Sequence, residues 1–302
     1  MKILITGGTG LIGTRLTQLL QEKGHEISYL SRSKRKDDQV TYYQWNPTEG
    51  YIEEGAIENA DYVIHLAGAN VAEKRWTKAR KEVIVNSRTQ TTQLLAQKLA
   101  ETNHEVKGFI AATAVGIYGF TGERIAFEDS KPGSDFLAHV CQQWEAEVDR
   151  IADTGLRTVK IRVGVVLSEE AGALYEIAKP IRMYAGAPLG SGKQYIPWIH
   201  IDDICRIFMH AIEAETLQGA FNGVAPNPVT NAELTRITAH VLEKPLFLPN
   251  VPKIALEMMF GEMAEIVLNG SKVSCQKIQD AGFQFKFSEP EKAVEDLLKE
   301  AE

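Results

Sequence analysis

Cysteine is scarce in this 302-residue chain, which contains only Cys141, Cys205 and Cys275. The three are widely separated and none belongs to a C-x-x-C pair, so the sequence predicts neither a disulfide framework nor a zinc site. Because a protein of this kind needs no oxidising environment, we expect a reducing, cytoplasmic location.

Positive charge is also in the minority, since 33 Lys and Arg residues face 40 Asp and Glu residues and leave a net charge of −7. We therefore expect the chain to bind neither nucleic acid nor an anionic membrane surface. It has no apolar run of the length that crosses a bilayer, and no signal-peptide pattern is evident. A hydrophobic content of 44% is enough for one large α/β unit with an appended lobe.

The most informative stretch is the beginning of the chain, where the apolar run Ile3–Ile5 leads into glycines and then into a helical pattern. With Gly10 and Gly13, either Gly7 or Gly8 completes a dinucleotide-binding spacing. Such glycines permit a sharp turn and a close approach of pyrophosphate, and the helix start offers unpaired N–H groups. We expect a dinucleotide to contact the following residues of this turn: Gly7, Thr9, Gly10, Leu11, Ile12 and Gly13.

Short apolar strands alternate with longer amphipathic segments as far as about Arg162, which predicts a parallel sheet covered by helices. The predicted strands are Lys2–Thr6, Glu26–Ser31, Val40–Trp45, Asp61–Leu66, Val106–Thr113 and Arg157–Arg162. The predicted fold class is α/β, a Rossmann-like doubly wound parallel sheet with a smaller C-terminal substrate lobe. We divide the chain into a nucleotide-binding domain (1–165), a substrate-cleft segment (166–194), a return to the first domain (195–225) and a C-terminal lobe (226–302).

The residues after the second predicted strand distinguish NADP from NAD. An acidic residue about twenty positions beyond the glycines would bind the ribose 2′-hydroxyl of NAD, but this chain has Ser31, Arg32 and Ser33 there. A guanidinium can hold a 2′-phosphate with two hydrogen bonds. Arg32, with the hydroxyl of Ser31 or Ser33 as a further donor, therefore predicts NADP, whereas Lys34–Lys36 are expected to form a solvated basic loop.

The fourth predicted strand ends in His65, Leu66, Ala67 and Gly68. The small residues leave room for the adenosine half of the cofactor, so Leu66, Ala67 and Gly68 complete the predicted cofactor site. His65 lies inside the strand and is expected to have a structural role.

Four motifs resemble the extended short-chain dehydrogenase/reductase (SDR) superfamily, which includes nucleotide-sugar epimerases. They are the Gly7–Gly13 turn, His65–Gly68, Gly116–Gly119 and Trp198–Asp203. Further segments resemble an atypical, epimerase-family branch of that superfamily, among them Arg75–Thr77, Pro188–Gly192 and Gly261–Ala264. The resemblance covers essentially the whole chain.

The resemblance also implies a catalytic pattern that this chain follows only in part. The superfamily typically has a Ser or Thr at the end of the fifth strand and Tyr-x-x-x-Lys on the next helix, where the lysine lowers the pKa of the tyrosine. Thr113 is the hydroxyl near the end of the fifth strand, one position out of register, and is the predicted catalytic residue. Leu137 and Cys141 occupy the tyrosine and lysine positions, and a neutral thiol cannot replace a lysine cation.

The segment from Gly172 to Gly192 resembles the part of extended SDR enzymes that closes over the substrate. Lys179, Arg182 and Lys193 either bind an anionic substrate there or are solvated.

The remaining features of the C-terminal part are expected to be structural. His200 and Asp203 should form a hydrogen-bonded corner, and Phe283–Phe287 is predicted to be a half-buried strand. Apolar residues at Met258–Met263 would suit core, substrate wall or dimer contact, so a homodimer is one arrangement that they allow.

Two functions fit these residues. The first is an NADP-dependent oxidoreductase or epimerase-like enzyme that acts on a small polar molecule, such as a sugar- or nucleotide-linked compound, with a non-standard proton donor. The second is a catalytically inactive NADP(H)-binding redox sensor or interaction protein. The complete cofactor motif and the second lobe favour the enzyme, whereas Leu137 and Cys141 favour the inactive protein.

Overall fold

A computed structural model describes residues 1–33 and 38–299 of the chain. The strands, in chain order, are β1 (Lys2–Thr6), β2 (Glu26–Ser31), β3 (Thr41–Asn46), β4 (Tyr51–Ile52), β5 (Tyr62–His65), β6 (Gly108–Ala114), β7 (Gly122–Ala126), β8 (Thr158–Val163), β9 (Val165–Leu167), β10 (Tyr195–Ile196), β11 (Trp198–His200), β12 (Gly219–Gly223), β13 (Val229–Thr230) and β14 (Ser271–Val273). The helices are α1 (Leu11–Glu22), α2 (Lys78–Glu101), α3 (Phe136–Ala152), α4 (Ala173–Arg182), α5 (Ile201–Glu213), α6 (Asn231–Val241), α7 (Lys253–Phe260), α8 (Glu265–Leu268), α9 (Gln276–Asp280) and α10 (Pro290–Leu298). Short 3₁₀ turns occupy Val115–Tyr118 and Gly261–Ala264.

An eight-stranded sheet with the order β12-β8-β6-β5-β1-β2-β3-β4 forms the centre of the molecule. All neighbouring strands in it run parallel except β3 and β4. The predicted α/β fold class is confirmed, and each of the six predicted strands is present with ends that differ by at most two residues. Such a difference is within the usual uncertainty of element ends.

The direction of winding reverses at β1, and this reversal positions the candidate site. From β1 the chain moves outward through β2 and β3, then returns to β5 and moves the other way through β6 and β8. Right-handed crossovers therefore put α1 and α2 on opposite faces of the sheet. Helix α1 packs against α5, and α2 packs against α3. Ligands of such sheets bind at the carboxyl ends of the strands beside the reversal.

Strand β1 lies in the middle of the sheet and in the hydrophobic core. Ile3, Leu4 and Ile5 are fully buried because helices cover both faces of the strand. This continuous apolar run is typical of a parallel sheet with two covered faces. The packing fixes the end of β1, and with it the turn that follows, on a rigid support.

The C-terminal part is built from smaller sheets and short helices. Strand β10 pairs with β13, β9 with β11, and β7 with β14. Strand β12, within 195–225, returns to the central sheet beside β8, while the division of the whole chain into segments stays a prediction. In the parts of the chain that the structure describes, no helix is both long enough and apolar enough to span a bilayer.

The predicted strand at Phe283–Phe287 is wrong, because this segment has no strand structure. Two of its backbone N–H groups, those of Lys286 and Phe287, donate to the Asp203 carboxylate at 2.9 and 2.8 Å and not to a neighbouring strand. The Phe287 ring also stacks on His200 with 3.8 Å between ring centroids. The alternating aromatic residues therefore anchor a loop, and His200 and Asp203 form the structural corner that the sequence predicted.

Candidate functional site

The glycines of the first turn are required by close backbone contacts. Gly7 has a φ of +71°, and a Cβ atom there would lie 2.9 Å from the backbone nitrogen of Ala67. A Cβ at Gly13 would collide with the carbonyl oxygen of Gly7, and one at Gly8 would collide with the ring of Tyr29. The turn thus brings the end of β1 against the end of β5 and leaves no room for side chains.

Helix α1 begins at this turn with unpaired donors. Its N-cap, Gly10, has no side chain that could cap the helix, and its first internal hydrogen bond runs from the Thr14 N–H to the Gly10 carbonyl at 2.8 Å. The N–H groups of Leu11, Ile12 and Gly13 therefore have no acceptor within the described residues. A side-chain-free turn beside a helix N-terminus fits a pyrophosphate in shape and in charge.

The end of β2 adds a cation at the same edge of the sheet. Strands β1 and β2 are parallel and in register to their ends, where Thr6 pairs with Leu30. Arg32 and Ser33 follow and are exposed, and the Ser33 N–H lies 3.4 Å from the Ser31 hydroxyl. No carboxylate of the described chain forms an ion pair with Arg32, so its guanidinium is available to an anion. The predicted basic loop at 34–36 lies outside the described residues.

The end of β5 completes this edge. The N–H groups of Leu66 and Ala67 donate to the Thr6 hydroxyl at 3.2 and 3.1 Å, and this hydroxyl also contacts His65 Nδ1 at 2.7 Å. His65 is fully buried, and burial lowers its pKa to about 3. The histidine is therefore neutral and structural, as expected, and Leu66–Gly68 lie directly beside the glycine turn.

A cavity of about 430 Å³ extends from the carboxyl ends of β6 and β8 toward the C-terminal part. Its walls come from the turn after β6, helices α3, α4 and α6, the loop before β10, and the segment from α8 to β14. Leu137 and Cys141 of α3 both line it, at the positions where the superfamily has tyrosine and lysine. The volume is within the range of cavities that bind small molecules.

Thr113 does not line this cavity, whereas the next residue, Ala114, does. The Thr113 side chain is only 2% exposed, and its hydroxyl donates to Glu145 Oε1 at 3.0 Å. The structure thus gives this hydroxyl a partner inside the protein. A catalytic role for Thr113 stays a prediction, and the observed hydrogen bond gives it a structural role.

Glu145 belongs to a buried polar network that the sequence did not reveal. Arg162 donates from Nε and Nη2 to the two oxygens of Glu145, each at 2.8 Å, and from Nη1 to the Tyr118 hydroxyl at 2.8 Å. The Tyr118 hydroxyl in turn donates to Asn222 Oδ1 at 2.6 Å. Four elements, β6, α3, β8 and β12, are therefore joined through one ion pair and its hydrogen bonds.

The charges in this network are mutually compensated. Burial alone would raise the pKa of Glu145, but the hydrogen bonds and charge of Arg162, together with Lys160, hold that pKa below its usual value. Burial raises the pKa of Tyr118 to about 12 despite Arg162. Tyr118 is thus a neutral, buried phenol at neutral pH and is not available to a substrate.

Arg88 of α2 is the functional candidate that sequence analysis missed. It lines the cavity, its guanidinium carbon lies 5.0 Å from the centre of the Trp144 ring, and Nη1 donates to the carbonyls of Ala69 and Ile84 at 3.1 and 3.0 Å. Burial lowers the pKa of Arg88, but arginine remains charged in proteins. Its position four residues after the buried Ile84 was the available clue, because this spacing puts a cation on the inner face of α2.

Cys141 is a buried neutral thiol beside this cation. The residue is 4% exposed, and burial raises the pKa of Cys141 to about 12 although the charge of Arg88 acts in the opposite direction. Trp144 and Val148, one and two helix turns further along α3, are also buried. The lysine charge that the superfamily supplies from α3 is therefore absent, but an arginine charge reaches the same cavity from α2.

The three basic residues that could have bound an anionic substrate lie outside the cavity. Lys179, Arg182 and Lys193 are exposed and do not line the cavity, which agrees with the solvated alternative. Of the apolar residues at Met258–Met263 that could form a dimer contact, Met258 and Met259 are exposed and Met263 is buried. A homodimer therefore stays a prediction.

Comparison with known proteins places the chain in a family. Residues 3–222 match the NAD dependent epimerase/dehydratase family, and residues 251–297 match a domain of unknown function, DUF1731. The mouse epimerase family protein SDR39U1 is 37% identical over 302 residues, which cover 99% of this chain and 100% of that protein.

Two solved structures are also similar over almost the whole chain. The human epimerase family protein SDR39U1, crystallised with NADPH, is 33% identical, with 100% of both chains covered and a TM-score of 0.89. A nucleoside-diphosphate sugar epimerase from Corynebacterium glutamicum is 32% identical, with 99% of this chain and 58% of that chain covered and a TM-score of 0.81. The resemblance to the extended SDR superfamily is thus confirmed, and this chain belongs to the NAD dependent epimerase/dehydratase family.

Proposed function

We propose that this protein binds NADP(H) and reduces the carbonyl group of a small molecule, or oxidises the corresponding alcohol. The observation that carries the cofactor proposal is the glycine turn with its unpaired helix N–H groups beside the exposed Arg32. The presence of NADPH in the human relative supports the choice of NADP over NAD. An acidic residue, which would favour the free 2′-hydroxyl of NAD, is absent from Ser31–Ser33.

Each part of the site has a defined task in this proposal. The N–H groups at the start of α1 bind the pyrophosphate, Arg32 and Ser33 bind the 2′-phosphate, and Leu66–Gly68 border the adenosine half. When bound, the cofactor supplies or accepts a hydride. The mainly apolar walls of the neighbouring cavity limit the contact of water with the reacting carbon.

Tyr195 is our candidate for the proton donor. It lines the cavity from β10, and the ammonium group of Lys272 lies 4.1 Å from the centre of its ring. No hydrogen bond to the Tyr195 hydroxyl occurs within the described parts of the chain, unlike the hydroxyls of Thr113 and Tyr118. During reduction, the Tyr195 phenol would give its proton to the carbonyl oxygen and regain one from water.

Arg88 supplies the positive charge that the missing lysine would provide. Its guanidinium has a permanent charge and lies next to Cys141, the lysine position of the superfamily. Arginine cannot itself donate the proton at neutral pH. We therefore assign it to stabilisation of negative charge on the substrate oxygen.

A titration with NADPH and NADH, followed by nicotinamide fluorescence, tests the cofactor proposal. We expect tighter binding of NADPH, and the Arg32→Glu variant should lose about tenfold to a hundredfold in NADPH affinity, because charged hydrogen bonds contribute about 1.5–3 kcal/mol. The control, Arg236→Glu, makes the same charge change at an exposed position of α6. Equal affinities of the wild type for NADPH and NADH would contradict the role of Arg32.

The alternative is an NADP(H)-binding redox sensor without turnover, which Leu137 and Cys141 favour. Cys141 is unsuited to direct redox chemistry, because burial raises its pKa to about 12. Binding of NADPH without its oxidation by any carbonyl compound of a broad panel would support this alternative.

A further inference from the structure

The walls of the 430 Å³ cavity are mainly aliphatic. Side chains from α3, β9, α4, the loop before β10, β10 itself and α8 line it, including Val140, Val165, Ile177, Leu189, Ile196 and Ile266. Most of the sheet-side wall is likewise apolar, with Ala114 at the end of β6, Val115 in the turn that follows and Val163 at the end of β8. Such a surface stabilises a ligand by removing apolar area from water, and it offers few hydrogen-bonding partners.

Polar side chains in the wall are largely engaged within the protein. Asn231 Oδ1 accepts the Leu189 N–H at 2.7 Å, and the Thr235 hydroxyl donates to the Asn231 carbonyl at 2.8 Å. Gln194 Nε2 donates to the carbonyls of Leu189 and Val267 at 3.0 and 2.7 Å. The Ser271 hydroxyl donates to the Gly119 carbonyl at 2.7 Å. A ligand rich in hydroxyl groups would have to bury those groups against partners that are already occupied, which is costly.

The charges of the cavity do not suit a diphosphate either. Arg88 is the lining residue with a positive charge, and Nη1 of its guanidinium is already held by the Ala69 and Ile84 carbonyls. Glu176 of α4 also lines the cavity and would repel an anion. Lys179 and Arg182, on the same helix, are exposed and outside the lining.

We propose that the cavity binds an uncharged, mainly apolar carbonyl compound or its alcohol, and that it excludes nucleoside diphosphates and their sugars. The assignment rests on the proposed oxidoreductase function and replaces the small polar substrate that the sequence suggested. A few polar groups in an apolar cavity are enough to orient a ligand. Arg88 and Tyr195 are the groups that would face the single oxygen of such a compound, and the aliphatic wall would hold its hydrocarbon part.

Isothermal titration calorimetry with 2-alkanones from 2-butanone to 2-decanone tests the proposal on the NADP⁺-saturated protein, in which no reduction can occur. We expect the Kd to fall about threefold to fourfold with each added methylene until the cavity is full, because each buried methylene contributes a constant increment. UDP and UDP-glucose should show no competition with 2-decanone. A flat chain-length series, or displacement of 2-decanone by UDP-glucose, would overturn the proposal.

Two variants locate the binding in this cavity. Ile177→Asp puts a carboxylate into the aliphatic wall and should weaken 2-decanone binding about tenfold or more, while NADPH affinity stays at the wild-type level and shows that the protein is folded. Ala187→Trp puts a large side chain into the cavity, so the longest alkanone that still binds should be shorter than for the wild type. The matched control is Ile254→Asp, at a position on α7 that is 69% exposed and outside the lining. Equal loss in Ile177→Asp and Ile254→Asp would contradict the assignment.

The same titration on protein without cofactor separates this inference from the proposed function. If NADPH does not bind but the alkanone series keeps its slope, the oxidoreductase proposal fails and the apolar cavity stands. If NADPH binds and the alkanones do not, the substrate assignment fails and the cofactor proposal stands.

Discussion

Arg162 and Glu145 form a bidentate ion pair inside the protein, with both N–O distances at 2.8 Å and side chains that are 9% and 7% exposed. The pair connects β8 to α3 and also holds Thr113, the hydroxyl that the family pattern offers for catalysis. This ion pair explains why the Thr113 hydroxyl does not reach the cavity, because that hydroxyl donates a hydrogen bond to the buried Glu145 carboxylate.

Removal of one partner of this pair should be strongly destabilising. In Glu145→Ala, the Arg162 charge is left buried without compensation, and we expect the free energy of unfolding to fall by about 3–5 kcal/mol. Urea unfolding followed by tryptophan fluorescence measures this change. Glu213→Ala removes a partner of the exposed Lys23–Glu213 pair and should cost no more than about 1 kcal/mol. A similar fall in the free energy of unfolding in both variants would show that the buried pair contributes no more to stability than the exposed pair.

The same carboxylate should make stability depend on pH in the acidic range. Arg162 holds the pKa of Glu145 below its usual value in the folded protein, so the unfolded chain binds more protons as the pH falls. The stabilisation from Glu145 is therefore complete above its unfolded pKa of about 4.3 and is lost as the pH falls through the lower, folded pKa.

Glu145→Gln provides the comparison for this pH dependence, because glutamine does not titrate. We expect the difference in unfolding free energy between wild type and variant to be largest near neutral pH and to shrink below about pH 4.3. Urea unfolding curves at a series of pH values measure it. A difference that does not change with pH would assign the acid sensitivity to other carboxylates.

The cysteines should be unreactive in the folded protein. Cys141, Cys205 and Cys275 are all buried, and burial raises the pKa of each thiol, to about 12 for Cys141 and about 11 for Cys275. Since thiolate is the nucleophile, alkylation by iodoacetamide at pH 8 should be slow until denaturant is added. Mass spectrometry of the alkylated protein identifies the sites. Rapid native alkylation of Cys141 would instead favour a redox role for it.

Tyr195→Phe should reduce turnover while cofactor binding stays intact. Loss of a positioned proton donor lowers kcat by about 10²–10⁴-fold, whereas the KM for an apolar ketone should change little because the ring and its packing remain. Tyr175→Phe is the control, since Tyr175 is on α4 but does not line the cavity. Equal kcat values for Tyr195→Phe and the wild type would exclude the phenol as proton donor.

The sequence by itself determined the frame of this protein. Buried parallel strands and glycine turns have strong local patterns, because they depend on continuous apolar runs and on backbone conformations that few residues adopt. The six central strands and the α/β class followed from such patterns. The capping box at Thr230 and Glu233 is likewise local, because it depends on a spacing of three residues within a single helix turn.

The tertiary structure alone decided which polar groups face the cavity. The sequence predicts a catalytic role for Thr113 and none for Arg88, but the pairing of β6 with β8 turns Thr113 toward Glu145, and the packing of α2 on α3 brings Arg88 beside Cys141. The cavity itself combines segments more than a hundred residues apart, such as Ala114 and Ile266. Contacts of this kind arise from packing between distant elements, whereas a local sequence pattern shows which face of a helix or strand a residue occupies and not which distant residue it contacts.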